Sequence, residues 1–194
     1  MQRSFLVLVL GMLFSASVLA QNAASETGRD TNQQNRVEQG LKSGQLTTRE
    51  AGTLERDEQR VDRTQAHAMK DGTLSAQEAA RIRHEQNQAS RQIYLDKHNG
   101  VAGNPDSRTS ERMQADVQRN ANQQARINQG VESGQLSNHE AGTLERGQAH
   151  VDRSEANAAR NGRIGAHEQA RTQGKENRQS GRVYRKKHNG TTSG

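Results

Sequence analysis

The chain has no cysteine and no tryptophan, a single proline, and only two Tyr and two Phe. Without Cys it can form no disulfide, thiolate nucleophile or sulfur-based metal site. Both phenylalanines, Phe5 and Phe14, fall near the N-terminus, so Tyr94 and Tyr184 supply all the aromatic surface beyond it. Large aliphatic residues are also scarce: past the N-terminal run, Leu, Ile and Val make up about a tenth of the residues, a level at which composition alone predicts disorder. The residues present in their place are mainly Ala, Gln, Arg and Glu, which favour helix once packing begins. Stability must then come from helix packing, a partner or a ligand.

Met1-Gln2-Arg3, the apolar run from Phe5 to Phe14 and the small-residue stretch ending at Ala20 together form the three regions of a secretory signal peptide. The run is too short to span a bilayer comfortably. The expectation is a signal peptide over 1–20, cleavage before Gln21, a flexible N-terminus over 21–31, no transmembrane span after cleavage, and a periplasmic or secreted product. The formal charge of +6 falls to +5 once Arg3 leaves. Such a charge suits polyanionic partners, an acidic envelope surface or extracellular nucleic acid, and it also keeps a polar helical protein in solution.

One turn occurs four times: Ser43 to Glu50, Asp71 to Glu78, Ser133 to Glu140 and Asn161 to Glu168. In each, a Gly stands where a helix ends in the left-handed conformation, and in three of them a Ser or Thr three residues before Glu forms a capping box for the next helix. The Leu or Ile between these signals reads as a plug pinning one helix on the other. The fourth copy has Gly165 in place of the cap hydroxyl, so it is expected to be the weakest junction.

Gly44 and Gly134 stand 90 residues apart, as do Tyr94 and Tyr184, and His98 and His188. About half of the positions from Asn32 to Gly100 match those from Asn122 to Gly190, which marks a tandem duplication. The predicted fold is all-α, with two tandem three-helix units: repeat 1 over 32–100, a linker over 101–107 holding Pro105, repeat 2 over 108–190, and a disordered tail over 191–194. The second helix of each unit carries a narrow apolar stripe, Ala51, Leu54, Val61 and Ala68 against Ala141, Leu144, Val151 and Ala158. The third erodes in the second copy, where Thr172 replaces Ile82, Gln179 replaces Ala89, and Gly174 and Gly181 enter; that helix is expected to fray first.

The spacing from Gly to Glu in these turns resembles the second half of an EF-hand loop, and Asp71 and Glu78 form the most acidic copy. The first half of the loop does not match: Leu41, Met69, Val131 and Ala159 occupy positions where oxygen ligands are required. The glutamates therefore read as caps, Asp71 and Glu78 remain as weak metal candidates, and no cofactor is expected. Of the seven His, only His98 and His188 repeat, and no helical pair is spaced to chelate.

The second repeated feature is Tyr94, Lys97 and His98 against Tyr184, Arg185, Lys186, Lys187 and His188, with Arg178 and Arg182 upstream. It reads either as a helix C-terminus, with cations at the negative end of the dipole and Tyr packed back on the bundle, or as a binding patch for anions or partners. No nucleophile elbow, phosphate loop or metalloprotease helix is present, so an enzyme is not expected.

Leu46-Thr47-Thr48-Arg49-Glu50 resembles the Leu-Thr-x-x-Gln motif of periplasmic stress chaperones, with Glu50 in place of the family's Gln. The Asp71 to Ser75 turn with Glu78 is similar to the acidic turn of TerB-like helical domains. The overall plan resembles the uncharacterised exported helical-repeat proteins of Gram-negative bacteria, which imply no function. The leading expectation is a non-enzymatic, chaperone-like envelope stress protein engaging polyanions or unfolded proteins. A periplasmic divalent-metal binder using the degenerate turns and a self-associating structural protein stand as alternatives.

Overall fold

The structure, a computed structural model, describes residues 15–190, with side chains described from Ala23 onward. It contains six helices: α1 (Ser15–Lys42), α2 (Thr48–Ala68), α3 (Ala76–Lys97), α4 (Arg108–Glu132), α5 (Asn138–Ala158) and α6 (Ala166–Lys187). The chain is all-α, with no strand among the described residues. The bounds of α5 and α6 are those of α2 and α3 displaced by the repeat length.

The turns form as their chemistry dictates. Gly44, Gly72, Gly134 and Gly162 all take positive φ, between 71° and 88°. The hydroxyls of Thr47, Ser75 and Ser137 accept from the amides of Glu50, Glu78 and Glu140, whose carboxylates accept in return from the cap N–H. At the fourth junction only half of this exists, the Gly165 N–H donating to Glu168 at 2.8 Å. The plugs Leu46, Leu74, Leu136 and Ile164 are all buried. Ser107 caps α4, and the linker is tied to the first turn where the Gly103 N–H donates to the Gly44 carbonyl at 2.8 Å.

The first helix departs from expectation. Residues 21–31, expected as a flexible N-terminus, lie within α1, and Ala23, Glu26, Thr27 and Asp30 are buried. The cause is α4, along which α1 runs for most of its length; the Thr27 hydroxyl reaches Asn128 Oδ1 at 2.8 Å. Of the expected signal peptide, residues 1–14 lie outside the described residues, as does the tail 191–194, while 15–20 open α1.

The dominant packing joins the two halves of the chain, α1 with α4 and α2 with α5. The second pair is antiparallel and unusually close. Gly52, early in α2, meets Ala159 just past α5, and Gly142, early in α5, meets Met69 just past α2; added Cβ atoms would lie 2.5 Å and 2.9 Å from the facing Cβ atoms. A helix-interior Gly costs about 1 kcal/mol relative to Ala, and here it permits the approach. Helix α3 covers α1 and α2, and α6 covers α4 and α5.

Two apolar clusters result, each drawn from both halves. One joins Met69, Leu74 and Ile82 to Ile127, Leu136 and Leu144. The other joins Val37, Leu46, Leu54 and Ile93 to Met113, Val117 and Ile164. Because α2 and α5 run antiparallel, the clusters sit at opposite ends of the bundle, leaving its middle to the polar residues between Leu54 and Ala68 and between Leu144 and Ala158. Among the described residues, no helix is long and apolar enough to cross a membrane.

Candidate metal centre

The middle of the bundle is acidic. On α2 the apolar stripe Ala51, Leu54, Val61, Ala68 skips two heptad positions, occupied by Glu58 and Gln65. On α5 the same positions hold Gln148 and Glu155. These four residues, together with Glu55, Asp62, Glu145 and Asp152 beside them and Asp30 and Asn120 from α1 and α4, are all buried.

Two triads of carboxylates converge there. Asp30, Asp62 and Glu145 place one oxygen each within 4.8 Å of one another, and so do Glu55, Asp152 and Glu155. The triads adjoin, since Asp62 and Asp152 are close enough to share a proton. The repeat relates them: Glu55 and Asp62 correspond to Glu145 and Asp152, and Asp30 to Asn120.

The surrounding partners are neutral amides. Asp30 accepts from Gln65 Nε2 and Gln86 Nε2, both at 2.6 Å. Glu55 accepts from Gln34 Nε2 at 3.0 Å, and its counterpart Glu145 accepts from the counterpart Gln124 at 3.0 and 3.1 Å. Asn120 Nδ2 donates to Asp152 at 2.6 Å and to Glu155 at 3.3 Å, while its carbonyl accepts from Gln148 Nε2.

Among the described residues no Lys, Arg or His is buried, and the ion pairs of buried acids lie away from the middle, Arg83 with Glu26, Arg119 with Glu176 and Lys186 with Glu140. Several oxygens inside are left with no donor: both of Glu58, one each of Glu55, Asp152 and Glu155, and the carboxamide oxygens of Gln65 and Gln148. Glu58 is 2% exposed and close enough to Asp30, Glu55 and Asp152 for their charges to act on it.

Buried carboxylates without a cation resist ionisation. Burial lifts Asp30 from 3.8 to about 7 and Glu55 from 4.5 to about 6, despite the amide hydrogen bonds each accepts. Burial and then the neighbouring carboxylates push Glu58, Asp62, Glu145, Asp152 and Glu155 well above the usual range. Such a layer either keeps its protons or takes up a metal. Each triad brings three carboxylate oxygens together, an all-oxygen donor set of the kind preferred by a large hard cation such as Ca²⁺, whose coordination of about 6–8 oxygens is completed by second carboxylate oxygens, carbonyls or water. With no His or Cys present, nothing favours softer metals.

The residues singled out from sequence lie elsewhere. Asp71 accepts from the N–H and hydroxyl of Thr73, and Glu78 from the N–H and hydroxyl of Ser75, so both serve their turn. All seven His are exposed. Tyr94 and Tyr184 do not pack back on the bundle, one of the two readings of this segment: they are 57% and 59% exposed and stack on His98 and His188, with ring centroids 4.2 and 4.3 Å apart. These two pairs sit at opposite ends of the molecule, since neighbouring Ile93 and Val183 belong to different clusters. Lys97 and Lys187 donate to Gln39 and Gln129, Lys186 lies 3.6 Å from Glu140, and Arg185 shares the last turn of α6 with Lys186 and Lys187. Arg178 and Arg182 join His150 and Lys175 around a cleft of about 210 Å³ between α5 and α6. Comparison with known protein families, with curated proteins and with solved structures finds no match.

Proposed function

We propose that the protein is an exported, non-enzymatic metal-binding protein built of two tandem three-helix units, which close around hard, oxygen-preferring cations at their shared centre. The observation that carries this reading is the pair of buried carboxylate triads, related by the internal repeat and lacking any basic partner. Buried charge is normally paired or coordinated, and an uncompensated acidic layer in so polar a chain weakens the fold unless a cation completes it. Binding is then part of folding, as in other small metal-dependent domains.

The test is a thermal melt of residues 21–194 by far-UV circular dichroism, first with chelator and then with Ca²⁺, Mn²⁺ or La³⁺. At a thousandfold excess over Kd a ligand adds about 4 kcal/mol, a shift of the order of 10 °C for a chain of this size. A melt that none of the three moves would end this reading.

A second reading, binding of polyanions through the face of α6, is favoured by the cleft around His150, Lys175, Arg178 and Arg182, where burial and the neighbouring Arg171, Arg178 and Arg153 depress the Lys175 ammonium. Heparin or duplex DNA should bind at low salt, and affinity should fall steeply as salt rises from about 50 to 200 mM. Binding that survives Arg178→Gln with Arg182→Gln would place the contact elsewhere.

A further inference from the structure

The two triads differ in how they are assembled. In the first half position 30 is an acid, Asp30, and position 65 an amide, Gln65; at the equivalent positions of the second half Asn120 is the amide and Glu155 the acid. All four are buried in the central layer, and in each pair the amide donates to the acid, Gln65 to Asp30 at 2.6 Å and Asn120 to Glu155 at 3.3 Å. The acid has exchanged places with the amide, and the total in each triad has stayed at three carboxylates.

A fixed charge with movable positions points to a requirement for charge. Three ionised carboxylates bring three negative charges. A divalent ion leaves one of them uncompensated in an interior where no Lys, Arg or His is buried among the described residues, and an unpaired charge there is costly. A trivalent ion balances the triad. We infer that each triad is built for one trivalent hard cation, so that the chain takes two, an inference that rests on the metal-binding reading above. Glu58, the remaining carboxylate of the layer, belongs to neither triad, is buried and has no donor on either oxygen.

The experiment is equilibrium dialysis of the chelator-stripped chain against La³⁺, Ga³⁺ or Ca²⁺, with bound metal counted by elemental analysis. La³⁺ and Ga³⁺ separate a large from a small trivalent ion. The expected result is two trivalent ions per chain, held about a hundredfold or more tighter than Ca²⁺ because each carboxylate attracts an additional unit of charge. Ca²⁺ bound as tightly as both trivalent ions would overturn the trivalent inference and leave the metal-binding reading intact. No binding by any of the three would remove both.

The exchange itself gives a second readout through Eu³⁺ luminescence, which counts bound ions and the waters on them. Asp30→Asn should lose one of the two Eu³⁺ sites, and adding Gln65→Glu should restore it by recreating the second half's arrangement in the first. Asp30→Asn conserves volume and relieves repulsion, and the double variant keeps the original number of carboxyls in nearly the same volume, so the metal-free fold should survive both. Two Eu³⁺ ions retained by Asp30→Asn, or no recovery in the double variant, would overturn the assignment.

Discussion

The ends and the middle of this bundle follow opposite rules. At the ends, twelve and eleven buried residues form apolar clusters capped by helix turns whose polar groups are largely satisfied. In the middle, buried carboxylates face one another across amides, with many oxygens left without a donor. The ends account for folding into this shape and for the pairing of the two halves. The middle works against it: apolar residues of similar volume would be more stable there. Its presence in both repeats, with the same three carboxylates assembled in two ways, makes function the better explanation.

Truncations in the apolar ends should have the largest effect. Leu54→Ala and Leu144→Ala, one in each cluster, should each cost about 2–5 kcal/mol by cavity formation, measured by urea denaturation, and the two penalties should be alike because the clusters are counterparts. A much smaller penalty at one end would mean that the halves do not contribute equally.

Protons come next. In chelator, Asp30 and Glu55 hold folded pKa values of about 7 and about 6, above the ordinary 3.8 and 4.5, and at the rim Asp116 and Glu176 are raised to about 7 and about 8 by burial. The folded state therefore binds more protons than the unfolded one, so its stability is fully present below about pH 4 and is lost as pH rises through 6 to 8. Urea midpoints across this range should fall steadily. Glu145→Gln replaces a buried carboxyl that the fold must hold protonated at neutral pH, where the unfolded chain would release the proton, so in chelator it should raise the stability by about 1 kcal/mol or more while lowering the gain from added cation. A core leucine variant would do neither.

The smallest effects belong to the turns. Ser137→Ala removes a cap worth about 1 kcal/mol, whereas Gly165→Ser, which supplies the missing hydroxyl, should add only a few tenths. A gain at Gly165 as large as the loss at Ser137 would show that the fourth junction limits stability.

Much of the fold is written in local chemistry. The turn glycines, the capping glutamates and the four plugs all act as their spacing implies, because caps and left-handed glycines depend on neighbours within a few residues. The relation between the halves is not local, since nothing in the stripe of α2 says that it lies on α5. The substitutions in the last helix are likewise paired across elements: Gln179 replaces Ala89, and its carboxamide fills the space over Gly147 and donates to the Leu144 carbonyl at 2.8 Å, Gly147 being the counterpart of Asp57.

The acidic centre left a signal that the EF-hand likeness obscured. The glutamates at the EF-hand-like positions of the turns, Glu50, Glu78, Glu140 and Glu168, all serve as caps. The informative acids were those inside the apolar stripe, Glu58 and Glu155, and those repeated beside it, Glu55 with Glu145 and Asp62 with Asp152. Asp30 was hidden for another reason: it lies in a stretch so polar that only its packing on α4 makes it part of the core.

The measurement that decides the matter most directly is a pair of melting curves at pH 5 and pH 7, in chelator and with saturating La³⁺ or Ca²⁺. A cation-binding acidic centre predicts that the melting temperature falls from pH 5 to pH 7 in chelator and rises with cation, because protons and metal compete for the same oxygens. Curves that fall alike in both would mean that the layer is a store of protons and that no cation completes it.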